Sequence, residues 1–205
     1  MEPTTTVALA SGAAFASGIN AYAVILMLGV LGSTGHLELP PHLQMLTDPR
    51  VIMAAGFMYC VEFLADKIPG VDSAWDAIHG FIRIPAGAVL AAAAFGHMDP
   101  ALRIAAFLLG GGLAAASHLT KVGSRLLSNT SPEPFTNWAA SIGEDVVVVG
   151  ALWTALRNPA LFLVLLASTL LLMAWLLPRL WRGVMKLGGR IRHLFAGGDA
   201  APRPN

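Results

Sequence analysis

The run VEFLADKIPGVDSAWDAIHGFIRIPAG, residues 61–87, carries seven ionisable side chains: Glu62, Asp66, Lys67, Asp72, Asp76, His79 and Arg83. They sit in a chain that otherwise reads as membrane, with 205 residues, 56% hydrophobic, 12% charged and a mean hydropathy of +0.66. Soluble domains carry about 25% charged residues. A charge at the bilayer centre costs roughly 2.5–3.5 kcal/mol even on the lenient insertion scale, so intramembrane charges usually mark a site. A second cluster, Glu144-Asp145, lies in a later apolar span.

Outward from this run, the apolar stretches define an all-α, polytopic domain over residues 1–178. A hydrocarbon core of about 30 Å needs roughly 20 apolar residues per helix. Six spans are expected, at about 7–32, 51–67, 75–96, 101–120, 138–157 and 159–178. The second is short, and Pro85 within the third predicts a kink. The first has no basic n-region and is too long for a signal core, so it is read as a mature helix. Six crossings put both termini on one side. Lys67, Lys121, Arg125 and the six basic residues from Arg179 onward fall there, against Arg50, Arg103 and Arg157 opposite. The positive-inside rule makes the terminal side cytoplasmic.

Residues 179–195, RLWRGVMKLGGRIRHLF, alternate apolar and basic positions at helical spacing, the pattern of an interfacial amphipathic helix on anionic lipids. Residues 196–205 read as disordered. The single cysteine, Cys60, reads as a small packing residue, and no basic surface remains for nucleic acid.

LASGAAFASGINAYA from Leu9 and LGGGLAAASHLTKVG from Leu109 match at an offset of one hundred residues: Gly12 with Gly112, Ala14 with Ala114, Ser17 with Ser117, Asn20 with Thr120. With three spans per unit, repeats at 7–96 and 101–178 would form a 3+3 inverted pair of the kind transporters use, while a rival register, Trp75, Gly80 and Gly87 with Trp138, Gly143 and Gly150, would give a parallel repeat. The small residues serve close helix approach, whereas Asn20 is a strong polar group well inside a span.

Arg83 falls roughly 13 Å into its helix, near the midplane. Glu62, Glu144 and Asp145 share that depth range and are its expected partners. With Asn20 they make the leading substrate or proton site; a structural ion pair that fixes helix packing explains the same residues. Asp72, Asp76 and His79 follow i, i+4 and i+3 steps, and with Asp66 they would suit a divalent cation. Ser73 with Asp76 also makes a capping-box-like helix start, which places this group at the cytoplasmic boundary. Lys67, Lys121 and Arg125 are candidates for a phosphate headgroup or another anion, with positive-inside anchoring the plainer reading. His118 faces the repeat interface, where it would join a proton path or pack by hydrogen bonding. No Walker loop, HExxH, nucleophile elbow or potassium-filter sequence occurs.

SGINAYA (17–23), EFLADKIPGVDSAWDAIHGFIRIPAG (62–87) and SIGEDVVV (141–148) resemble a family of small bacterial integral membrane proteins known only as a domain of unknown function. The matching residues are Glu62, Asp66, Lys67, Pro69, Asp72, Asp76, His79, Arg83, Pro85, Glu144 and Asp145. The resemblance implies a compact helical protein of the bacterial inner membrane and no substrate. The leading function is a small transporter or permeation protein. A lipid-phosphate carrier or flippase, a metal-dependent enzyme acting on a lipid headgroup, and a structural or assembly protein are the alternatives. No cofactor is expected beyond that divalent cation. The bilayer, anionic lipids and a second copy of the chain are the expected partners.

Overall fold

The structure, a computed structural model, describes residues 2–68, 70–96, 98–128 and 134–196. It consists of α1 (Pro3–Ser33), a 3-10 helix (Pro41–Thr47), α2 (Pro49–Ala65), α3 (Val71–Ala94), α4 (Pro100–Ser128), α5 (Pro134–Arg157) and α6 (Pro159–Ala196). No strand occurs among the described residues. Proline opens α1, α2, α4, α5 and α6, where its missing N–H is not needed and its fixed φ suits the first turn. Only α3 starts otherwise, after Gly70, whose φ of 88° closes the tight turn from α2.

Five helical segments are long and apolar enough to cross a membrane: Pro3–Ser33, Val71–Ala94, Pro100–Leu126, Trp138–Arg157 and Pro159–Arg179. The polarity of α3 is that of a membrane protein turned inside out relative to a soluble one. Ile78, Phe81, Ile82 and Val89 are exposed, whereas Asp72, Asp76, His79 and Arg83 are buried. Exposed Phe57, Leu109 and Leu171 extend this apolar coat around the other helices. Cys60 belongs to the coat as well: it is exposed rather than packed inside.

The first helix doubles back on itself. At Asn20 the backbone leaves the helix, with φ −151° and ψ 96°. Before that point Ala14 packs on Gly87, and Ser17 Oγ donates to the Arg83 carbonyl at 3.2 Å, so residues 3–19 run antiparallel to α3. After it Leu26 packs at Gly56 and Gly29 abuts Ile52, so residues 21–33 run antiparallel to α2. The tight turn makes α2 and α3 antiparallel to one another. The two arms of α1 therefore run in opposite directions, a re-entrant hairpin with Asn20 at its apex. Nearly every residue from Ala8 to Ala21 is buried, so the hairpin is the centre of the molecule.

This hairpin corrects the expected topology. Val7, Ala10 and Ser11 share a groove with Ala91, Phe95, Leu102 and Leu109, which places the N-terminal end beside the α3–α4 turn. Gly12 meets Ala155 and Phe162 near the α5–α6 turn, and His42 crowds Gly96. These elements define one face, the N face. The α2–α3 turn, the end of α4 and the distal part of α6 form the opposite C face, where Leu119, Val122 and Leu126 line a groove with Leu177 and Trp181. The described ends of the chain thus lie on opposite faces, not on one.

The same contacts do not confirm the expected repeat. Ser117 Oγ donates to the Phe15 carbonyl at 2.8 Å and Lys121 Nζ to the Ile19 carbonyl at 3.2 Å, so α4 runs parallel to the first arm of α1. Inverted units would bring the two together antiparallel. The offset of one hundred residues instead records two small-residue faces packed side by side. A Cβ added to Gly18 would run into Ser117 and the Ala114 carbonyl, and one at Gly110 into Ala91. Gly12 and Gly112 are not equivalent either, because a Cβ at Gly112 would meet nothing.

Helix α3 carries Pro85 within it, and a backbone break lies at Asn20 in α1. Residues 179–195 continue α6, whose 38 residues extend about 57 Å, well beyond a hydrocarbon core of about 30 Å. The side chains of 186–196 and all of 197–205, where the remaining tail expectations fall, lie outside the described residues.

Candidate functional site

Three cations and five carboxylates from α2, the α2–α3 turn, α3, α4 and α5 meet beside the hairpin apex. At the midplane end, Arg83 Nη2 donates to Glu62 Oε1 at 2.8 Å and Nη1 to Asp76 Oδ1 at 2.7 Å, with all three side chains fully buried. Lys121 Nζ stands in the middle, 3.2 Å from Asp76 Oδ1, 3.2 Å from Glu144 Oε2, 3.3 Å from Asp66 Oδ2 and 3.9 Å from Glu62 Oε1. At the C-face end, Arg125 Nη2 lies 2.7 Å from Glu144 Oε2 and 3.4 Å from Asp66 Oδ2, while Nη1 is 3.6 Å from Asp72 Oδ2. The result is a ladder of alternating charge. From Asp72 to Arg83 along α3 it spans roughly 16 Å at 1.5 Å per residue.

Local sequence explains how the ladder forms. Asp72, Asp76, His79 and Arg83 recur at 3.6-residue spacing and line one face of α3. Lys121 and Arg125, one turn apart, do the same on α4. Close packing of α1, α3 and α4 through Gly18, Gly87, Gly110 and Ala114 brings those faces together. Burying so many charges is tolerable only because each cation meets at least two carboxylates, which offset much of the lost hydration.

The apex of the hairpin joins the ladder. Breaking a helix in mid-membrane frees backbone groups that hydrocarbon cannot satisfy. Here Asn20 Oδ1 accepts from the Ala23 N–H at 2.9 Å, capping the second arm, and Lys121 takes the Ile19 carbonyl. His118, from α4, hydrogen-bonds the Gly18 backbone and lies against Gly80. Tyr22 of the second arm stands edge-on to His79, whose ring stacks on Trp75 at 4.0 Å and hydrogen-bonds the Trp75 carbonyl at 2.9 Å.

Of the expected substrate or proton site, Glu62, Arg83, Glu144 and Asn20 do converge, but with different pairings. The second partner of Arg83 is Asp76, two helical turns earlier on the same face, and Glu144 serves Arg125 and Lys121. Asp145 turns away to accept from the Tyr59 hydroxyl at 2.9 Å. Lys121 and Arg125 are not boundary anchors: they are 5% and 1% exposed. Lys67 stays apart from the ladder, 3.0 Å from the centre of the Phe63 ring.

The group Asp66, Asp72, Asp76 and His79 is corrected on its boundary reading. It is buried, not at a solvated boundary, and Ser73 does not open a capping box with Asp76. Asp72 Oδ1 receives the Gly70 and Ser73 N–H groups at 2.8 and 2.6 Å instead. Among the described residues, no three His, Cys, Asp or Glu side chains are arranged to hold a metal ion. Each of the three aspartates faces an arginine or lysine. Sequence reasoning missed Tyr22, Tyr59 and Trp75, aromatic side chains with no charge to draw attention in an apolar span.

A re-entrant helix with a broken apex, set against buried intramembrane charge, defines this as a polytopic α-helical membrane protein with an internal polar site. A family model described as "domain of unknown function (DUF4126)" matches residues 7–179, and the chain belongs to that family. No curated protein and no solved structure matches it.

Proposed function

We propose that the protein is a small membrane transporter or permeation protein whose path runs along the charge ladder to the Asn20 apex. The observation that carries this reading is the helix broken in mid-membrane with its freed carbonyls turned onto Lys121 and His118. Discontinuous helices of this kind are tolerated where irregular backbone lines a cavity or is buried in protein, and transporters use them to build ion and substrate sites. Glu144, whose side chain is 19% exposed, forms the rim of the ladder toward the C face. Toward the N face the contacts of Ala14, Gly87, Ala91 and Gly110 form a plug of small residues. Opening would then be a local separation of the hairpin arm from α3 and α4, in place of rocking between two repeats.

Counting α2 with α3–α6 gives five crossings plus the hairpin. The C face carries Lys67 and the basic residues of α6 and is cytoplasmic on the positive-inside rule, in keeping with an inner-membrane location. The anionic leaflet would meet Arg179 and Arg182 at that face.

The test is flux in proteoliposomes of the full chain, with a trapped pH dye and an imposed potassium diffusion potential, alongside tracer uptake of sodium, chloride and phosphate. Movement of one of these above the rate in empty vesicles, reduced by Arg83→Gln and Glu144→Gln, supports the reading. Vesicles tight to all of them, with folded protein, favour a ladder that only holds helices together.

A further inference from the structure

The ladder is short of positive charge. Among the described residues five carboxylates, Glu62, Asp66, Asp72, Asp76 and Glu144, face Arg83, Lys121 and Arg125, an excess of two negative charges. Lys121 shows the shortfall in hydrogen bonds. Its ammonium has three N–H donors. Five acceptors surround it, four carboxylates within 3.9 Å and the Ile19 carbonyl at 3.2 Å. Independently, Glu62 Oε2, Asp66 Oδ1 and Asp76 Oδ2 are buried with no hydrogen-bond partner. Carboxylates this close, away from water, cannot all ionise, and like-charge neighbours resolve the conflict by keeping a proton.

We propose that the ladder binds two exchangeable protons on its carboxyl groups, carried among Glu62, Asp66 and Asp76. A proton on any one of them turns an unpartnered acceptor into a donor and removes one of the excess negative charges. A proton needs one oxygen, whereas a metal cation needs several converging on a point, an arrangement the described residues do not make. Exchange occurs through Glu144 at the C face.

The other titratable groups around the set are Tyr22 on α1, Tyr59 on α2, Lys67 in the turn, His79 on α3, His118 on α4 and Asp145 on α5. Asp145 accepts from Tyr59 and makes no ion pair with Arg83, Lys121 or Arg125, so it stands outside the ladder. Proton binding stands on the geometry of the ladder alone; its further role as the coupling ion rests on the transport reading.

Infrared spectroscopy of the full chain in lipid nanodiscs tests it, reading the carbonyl stretch of protonated carboxyl groups that shifts in heavy water. The band is expected to persist at about pH 7, where ordinary acids are ionised. Glu62→Gln and Asp66→Asn should each reduce it by about half, since each removes one of the two unmatched charges. Asp145→Asn should leave it unchanged. No such band in the wild type overturns the proposal, as does a histidinium signature in its place. So does a band that appears only when sodium is withdrawn, which assigns the site to a metal cation. Because no flux is read, a missing band leaves the transport reading standing with another coupling ion, and a silent flux assay leaves the bound protons standing.

Discussion

Replacing Arg83 and replacing Glu62 should have unequal effects, although the two residues share one ion pair. Arg83→Gln removes two charge-assisted bonds of 2.7 and 2.8 Å and leaves Asp76 and Glu62, both fully buried, to share Lys121 with the other carboxylates around it. Breaking a buried pair from one side costs about 3–5 kcal/mol. Glu62→Gln removes one negative charge from a network that already has too many, and its amide oxygen can still accept from Arg83. Its cost is that of weakening one hydrogen bond, about 0.5–1.5 kcal/mol. The gap of at least about 1.5 kcal/mol corresponds to roughly 3–6 °C in midpoint for a chain of this size. Thermal unfolding in detergent, followed by tryptophan fluorescence, measures both variants against the wild type. A Glu62→Gln loss equal to or larger than that of Arg83→Gln would refute the charge accounting, because it would mean the carboxylates are not in excess.

Three other outcomes follow from particular contacts. Gly18→Leu should unfold the protein or disorder the hairpin, with a loss beyond the usual 1–3 kcal/mol of overpacking, since even a Cβ there meets Ser117 and the Ala114 carbonyl; Gly112→Leu, which faces open space, should be nearly neutral in the same melt. Asn20→Ala should cost about 1 kcal/mol through loss of the Ala23 cap, and Asn20→Asp should restore helix content by circular dichroism. Lys121→Met should be among the most damaging single substitutions, at about 3–5 kcal/mol in the same melting assay, because it leaves four carboxylates around an uncharged stem.

Much of the site was legible because burying charge in an apolar chain forces pairing. That principle alone selects Glu62, Arg83 and Glu144. It does not assign partners: Asp76 lies seven residues before Arg83 on one face of α3, yet its place three residues after Ser73 imitates a helix start. The actual start is made by the positive φ of Gly70 and by Asp72, a backbone detail that composition does not reveal. The hairpin was hidden for a different reason. Both arms are apolar on every side, the first because it is almost wholly buried and the second because its outer residues join the apolar coat, so hydropathy reads 31 residues as one crossing helix. Its traces were Asn20 in mid-span and the match between Ser17 and Ser117. The match reflects packing of two parallel faces, and only the direction of α4 separates that from an inverted repeat.

The reversal at Asn20 is what brings broken backbone to the charge ladder, and the placement of the chain's two sides follows from it. Single cysteines at Thr4 and Ile68, in a Cys60→Ala background, can be labelled with an impermeant thiol reagent in sealed vesicles of known orientation. The hairpin predicts that the two positions react from opposite sides of the membrane. Labelling of both from the same side would mean that α1 crosses, and would contradict the account.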